Sequence, residues 1–348
     1  MTASFSLACR LFFCPRSFPL DCPPQGQTLF LSWSLVRARG GCGGGEEGVG
    51  VKQTRLLRDA AVHAAGLRAR ESLRAEPLFH DPYAACLAEI NSEEEEEDTL
   101  SAQANGESPG RYELVTRFID DTLLGIVKDK ASEVRQMVLL TDGMDTRPYR
   151  LSWPPSSLIF DVSPDSIYTA ASEKLKASGA KVPRMCLLQH ISAEVGEGEG
   201  GWGEKLVKMG FRGDRPSVWA MQGVHSLSAE GLKVILGYAS SMAMKDSVFV
   251  GEVPLSAFGG ISQEEASKLL IKIILSNGFD AEVIAHKEIA AGSGLQGAHV
   301  QDLDQKGEGL SIIFRAKQLR LSDDQVEFVR QQIEQAEEEG DEEGFEEW

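Results

Sequence analysis

The stretch Met137-Val138-Leu139-Leu140-Thr141-Asp142-Gly143-Met144-Asp145-Thr146-Arg147-Pro148-Tyr149-Arg150-Leu151 decides the fold of this chain. Its first four residues are a continuous apolar run, the pattern of a parallel strand buried on both faces. The run stops at Thr141-Asp142-Gly143, and a polar loop carrying Arg147 and Arg150 follows. Strand, glycine turn and charged loop are how an open α/β sheet presents its ligand edge. A second apolar run, Ser157-Leu158-Ile159-Phe160-Asp161, ends in an acid about twenty residues further on, where nucleotide-binding sheets place an acceptor for ribose hydroxyls.

Outward from this stretch, strands and helices alternate. Strands are expected at Gln136–Thr141, Ser157–Val162, Arg184–His190, Ser217–Gln222 and Ser247–Val253, and helices at Asp165–Ala177, Trp202–Met209, Ala229–Ala243 and Gln263–Asn277. Such alternation implies a parallel sheet with right-handed crossovers. Phe279–Ala285 and Leu310–Lys317 are strands with no helical pattern between them, so an antiparallel pair is expected at the end. Three helical segments precede the sheet: Lys52–Leu73, ended by Pro77, then Tyr83–Ile90 and Arg111–Val127. They are expected to cover the ligand edge.

The wording of the opening stretch is more specific than its pattern. Gly143 to Leu151 resembles the G-x-D-T-R-x-Y-R-L signature of the leucine carboxyl methyltransferase-like family. Arg68-Ala69-Arg70-Glu71-Ser72 with Pro77-Leu78-Phe79-His80-Asp81-Pro82-Tyr83-Ala84, Thr116-Arg117-Phe118-Ile119-Asp120-Asp121, and Phe160-Asp161-Val162 resemble further family motifs in the same order. The resemblance spans roughly Lys52 to Lys317. It implies a class I methyltransferase fold: an α/β, Rossmann-like doubly wound sheet, mostly parallel, with a C-terminal antiparallel strand pair and an N-terminal helical cover. It also implies S-adenosyl-L-methionine as cofactor.

Ligands in such sheets bind beyond the carboxyl ends of the strands. That rim holds Thr141, Asp142, Gly143, Asp161, His190 and Gln222. Gly143 permits close backbone approach, to a ligand or within an ordinary turn. Asp161 suits both ribose hydroxyls, or the cap of the helix that follows. His190 stands where the family places an acid near the adenine, and its ring can hydrogen-bond a base edge or be satisfied within the rim. Gln222, in Gln222-Gly223, replaces a family glutamate; the amide keeps an acceptor and lacks the charge. Thr141 replaces the first glycine of a G-x-G turn, Ser163 replaces an acid, and Val115 replaces an arginine that meets the cofactor carboxylate. Arg117 is the candidate substitute. Arg147 and Arg150 are suited to a planar carboxylate, or to structural pairing with Asp145 or Asp161. No catalytic residue is assigned.

The net charge of −18 is unevenly spread. Glu93–Asp98 and Glu334–Trp348 hold fifteen acids, without which −18 becomes −3. An acidic loop over 91–110 and a C-terminal helix with acidic tail over 322–348 are expected, both solvated and disordered where acidic. No nucleic-acid footprint and no membrane span are apparent. Six cysteines give no metal-ligand spacing; Cys86 and Cys186 are expected as reduced thiols. Residues 1–50 carry Arg10, Arg16, Arg37 and Arg39 against a single acid before Glu46, Asp21, and end in a glycine run, which suits a chloroplast transit peptide. The methyltransferase-like domain is expected over 51–321.

The expected activity is methyl transfer to a carboxylate of a small molecule or peptide. A sulfonium methyl is already activated and a carboxylate is ionised at neutral pH, so no general base is required. The alternatives are a degenerate member acting as a binding or scaffold protein and a nicotinamide-dependent oxidoreductase, which would continue in βαβ units.

Overall fold

The computed structural model describes residues 46–88, 110–129, 131–195, 201–293 and 311–342. The acidic run Glu93–Asp98, most of the leader and the last six residues lie outside them. Helices α1 (Glu46–Leu73), α2 (Ala84–Leu87) and α3 (Arg111–Lys128) precede the sheet. Then come β1 (Gln136–Leu140), α4 (Arg147–Arg150), β2 (Leu158–Ser163), α5 (Asp165–Ala177), β3 (Leu187–Ser192), α6 (Trp202–Lys208), β4 (Ser217–Met221), α7 (Ala229–Met242) and β5 (Val248–Pro254). The chain ends with α8 (Gln263–Leu275), β6 (Phe279–Ile284), α9 (His286–Gly292), β7 (Ser311–Gln318) and α10 (Asp323–Glu342).

Seven strands form one sheet in the order β3-β2-β1-β4-β5-β7-β6. The first five are parallel, and β7 inserts antiparallel between β5 and β6. Strand order reverses beside β1, where β2 lies on one side and β4 on the other. This switch point opens a crevice at the carboxyl ends of β1 and β4.

The apolar run of β1 is explained by layers on both faces. Val138 and Leu140 join Trp219, Met221, Leu232, Ile235 and Phe249 in one core. Met137 and Leu139 join Leu114, Ile119, Leu123, Val218 and Ile313 in the other. A third, smaller core packs Ala61 and Ala65 of α1 and Leu87 of α2 on Met144, Ile167 and Ala171. Helices α1 and α2 thus sit over the start of α5 and the turn after β1.

Three expectations are corrected. β3 starts at Leu187, not Arg184, because Met185 takes a left-handed backbone (φ 65) and the Cys186 N–H closes a turn on the Pro183 carbonyl; it runs on past His190 to Ser192. A helix, α9, does separate β6 from the segment leading to β7, burying Ile289 and Ala290. Helix α10 continues to Glu342, well into the stretch expected to be disordered; Glu, Gln and Ala are strong helix formers, and they dominate it. Cys86 and Cys186 are free and half-buried. Among the described residues no helix is long and apolar enough to cross a membrane.

Candidate active site

The signature residues after β1 turn out to bind one another. Arg147, on α4, donates to Asp120 at 2.7 Å, to Asp145 at 2.8 Å and to the Gln222 amide oxygen. Arg150 donates two bonds to the same Asp120, at 2.5 and 3.0 Å. Thr146 donates to Asp81 at 2.6 Å, and Arg68 of α1 donates to Asp81 at 3.1 Å, to Tyr112 at 2.7 Å and to the Met144 carbonyl at 2.8 Å. Glu71 and Ser72 accept from the backbone N–H groups of Leu78 and Asp81, fixing the strap between α1 and α2. Four separate motifs of the sequence therefore meet in one buried polar network. Its role is to clamp α1, the strap and α3 onto the rim of the sheet. Burial alone would raise the Asp145 carboxyl, but Arg147, its backbone N–H and Arg150 hold it below the ordinary range.

Beside this network lies a small open cleft. It is lined by Thr141, Asp142 and Gly223, by Leu57 of α1, Pro164 and Ile167, and by Glu194, Val195, Val224, His225 and Ser226. Asp142 accepts from the Met144 N–H at 2.8 Å. Its carboxyl is raised by burial, against the opposing pull of Arg68 and that N–H. Gly223 has φ +80, and a Cβ there would lie 3.0 Å from the Asp142 carboxylate, so glycine lets the two loops close on each other.

The residues singled out from sequence divide into groups. Thr141 and Asp142 line the cleft. Asp161 lies next to it but fully covered: Thr141 donates to it at 3.1 Å. Burial pushes the Asp161 carboxyl up to about 7; the Ser163 and Thr141 hydroxyls work the other way, while Asp145 and Asp142 add to the rise. Gly143 has φ +92, its N–H donates to Thr141 at 3.2 Å, and a Cβ would lie 3.0 Å from the Tyr168 nitrogen and 3.2 Å from Ile167. The close approach it permits is that of α5. Gln222 is held by Arg147 on one side and donates to Thr116 at 3.0 Å on the other.

Arg117 and His190 are placed elsewhere. Arg117 faces outward from α3, pairing with Asp121 at 2.6 Å and donating to the Leu78 carbonyl. Two positions from Val115, it points away from the rim, as helical geometry requires. His190 lies inside β3 opposite Asp161, with its ring stacked on Tyr168 at 3.7 Å and its Nε2 3.2 Å from the Ser163 carbonyl. Because the strand runs past it, the acid that follows β3 into the cleft is Glu194, an exposed side chain not singled out above. Locating the strand end two residues later would have found it. Neither Arg147 nor Arg150 reaches Asp161; Asp120, a long-range partner, takes both.

The strand order with its antiparallel finish, and a cleft at the switch point covered by N-terminal helices, define a class I methyltransferase fold. A family model described as leucine carboxyl methyltransferase matches residues 61–228. The chain is 41% identical over 295 residues to O-methyltransferase 1, chloroplastic, of Oryza sativa subsp. japonica, covering 84% of this chain and 79% of that one. It is 33% identical over 184 residues to a Parafrankia sp. (strain EAN1pec) protein named as an S-adenosyl-L-methionine-dependent methyltransferase, covering 51% of this chain and 56% of the relative. A DUF574 family protein from Streptomyces avermitilis superposes with a TM-score of 0.44 and 12% identity, over 73% of this chain and 97% of that one. This chain belongs to the leucine carboxyl methyltransferase family of S-adenosylmethionine-dependent methyltransferases.

Proposed function

We propose that this protein transfers the methyl group of S-adenosylmethionine to an oxygen of a carboxylate, on a small molecule or a peptide. The observation that carries the reading is the cleft at the β1–β4 switch point. It offers Asp142 and Glu194 to the cationic groups of the donor, apolar Leu57, Ile167 and Val195 to its flat base, and Thr141 with the Gly223 backbone between them. Asp161, buried and held by Thr141, would meet the donor ribose only once that hydrogen bond is released. The relative from rice is named an O-methyltransferase, which supports an oxygen acceptor.

The donor supplies an activated methyl on sulfonium sulfur. The chain's own part is alignment and exclusion of water, with α1 as the cover. A carboxylate acceptor, with a pKa of about 4, arrives ionised, and no residue has to remove a proton. The name of the rice relative and the acid-poor, arginine-bearing leader support a chloroplast location. A fusion of residues 1–50 to a fluorescent protein tests that, with cytosolic fluorescence as the contrary result.

Calorimetric titration with S-adenosylmethionine and S-adenosylhomocysteine tests the cofactor site. Methyl-labelled donor with a panel of carboxylic acids then tests the acceptor. A methyl ester releases labelled methanol in mild base, whereas an aryl ether holds its label. Absence of donor binding at millimolar concentration would make the protein a scaffold that keeps the fold alone.

A further inference from the structure

We propose that His225 is the positioning residue for the acceptor carboxylate. This rests on the carboxyl methyltransferase reading above. His225 sits on the loop between β4 and α7, and both ends of that loop are anchored. On one side the His225 N–H donates to the Gly223 carbonyl at 3.0 Å and Leu227 N–H to the Val224 carbonyl at 3.3 Å. On the other, Ser228 caps α7 by accepting from the Gly231 N–H at 3.0 Å. The backbone is therefore held while the imidazole stands exposed at the mouth of the cleft, beside Ser226.

Charge makes the position matter. The other ionisable groups lining the cleft are Asp142, after β1, and Glu194, after β3. Two acids suit a cationic donor and oppose an anionic acceptor. A carboxylate entering there needs a counter-charge or a strong donor on its own side. Among the described residues lining the cleft, His225 is the one basic side chain. Arg147 and Arg150, the arginines suggested by the sequence, have side chains 5% and 3% exposed and are committed to Asp120 and Asp145.

An imidazole N–H donated to one carboxylate oxygen leaves a lone pair of the other aimed at the methyl carbon. As the new O–C bond forms, the C–S bond breaks and its electron pair stays on sulfur. No proton moves, and His225 ends as it began. The product ester is neutral and holds the N–H more weakly than the acid did, which favours its release.

The test uses the full chain saturated with S-adenosylhomocysteine, titrated with benzoate and with benzamide as probes. Benzoate is expected to shift the His225 imidazole resonances in a histidine-labelled sample, and benzamide to leave them in place. His225→Ala should weaken benzoate roughly ten- to hundredfold, as loss of a charge-assisted bond requires. It should leave S-adenosylhomocysteine affinity within about threefold, and His225→Lys should restore most of the benzoate affinity. In turnover, His225→Ala should raise KM for a carboxylate acceptor far more than it lowers kcat. Equal benzoate affinity in wild type and His225→Ala, no benzoate response in wild type, or failure of lysine to rescue would each overturn the proposal. Failure of wild type to bind S-adenosylhomocysteine would instead overturn the cofactor reading on which it rests.

Discussion

Two polar regions share the rim of the sheet and behave in opposite ways. In the clamp of Arg68, Asp81, Asp120, Arg147, Arg150 and Gln222, the charged side chains are buried and answered by short hydrogen bonds. In the cleft, Glu194 and His225 are exposed at the surface and Asp142 lines it from a buried position. The clamp contains the wording by which the family is recognised, and the cleft contains residues with no motif of their own. A buried charge tolerates little change, because its partner would be stranded, whereas a ligand-facing charge is free to change with the ligand. The most recognisable residues here therefore specify the scaffold.

The largest expected effect lies in the clamp. Asp120→Ala removes the two-bond partner of Arg150 and one of the two acids paired with buried Arg147, and should cost about 3–5 kcal/mol of stability in urea denaturation. Glu194→Gln in the cleft should change stability by no more than about 0.5 kcal/mol in the same assay. Similar losses for the two would end the distinction between clamp and cleft.

Asp161 lies between the regions, and its titration reports which it belongs to. Its folded carboxyl is raised to about 7 from an ordinary 3.8, chiefly by burial. Below the ordinary value both folded and unfolded chains hold the proton, and no penalty exists. As pH rises toward 7 the unfolded chain releases it first, so stability falls; above 7 the penalty stays constant. Asp161→Asn keeps a neutral acceptor for Thr141 and has no such penalty. The variant should gain on wild type by about 2–4 kcal/mol between pH 4 and 8. A difference independent of pH would show that water reaches the carboxylate and that Asp161 belongs to the cleft.

Much of this was legible in the sequence. Continuous apolar runs and alternating helical spacing gave five parallel strands and the antiparallel finish, because burial on both faces leaves that pattern. The start of β3 was misplaced because Met185-Cys186-Leu187-Leu188 is evenly apolar, and the left-handed Met185 has no mark in the sequence. Its end was placed two residues early, which put His190 at the rim and hid Glu194. The Arg147–Asp145 pair could be read locally, but its second partner, Asp120, is brought in by α3 and is a tertiary fact. The α9 helix was missed because it is short and flanked by segments of similar composition.

A smaller effect tests the turn that joins the regions. Gly143→Ala places a methyl group 3.0 Å from the Tyr168 nitrogen at a φ of +92. Strain of this kind costs about 1–3 kcal/mol, seen as a lowered Tm. A variant of unchanged stability would mean that α5 yields easily and that the glycine serves a ligand instead.

The smallest expected effect is at Gln222, the clamp residue that precedes Gly223 of the cleft in sequence. Gln222→Glu would place a charge against Arg147, which favours it. It would also lose the amide donation to Thr116 and add an anion near half-buried Glu252, whose carboxyl is already raised by desolvation. Thr116 donates to the Tyr112 carbonyl at 2.9 Å, so it cannot turn to serve the new carboxylate without breaking that bond. These terms oppose one another, and the net change in stability should stay within about 1 kcal/mol. The sequence alone suggests a gain in cofactor affinity from restoring the family's acid. The structure points the side chain into the clamp, with Arg147 there to neutralise it, so donor affinity should change by less than about threefold. A tenfold gain by calorimetry would show that charge in the clamp is felt in the cleft, and the two regions would then have to be treated as one site.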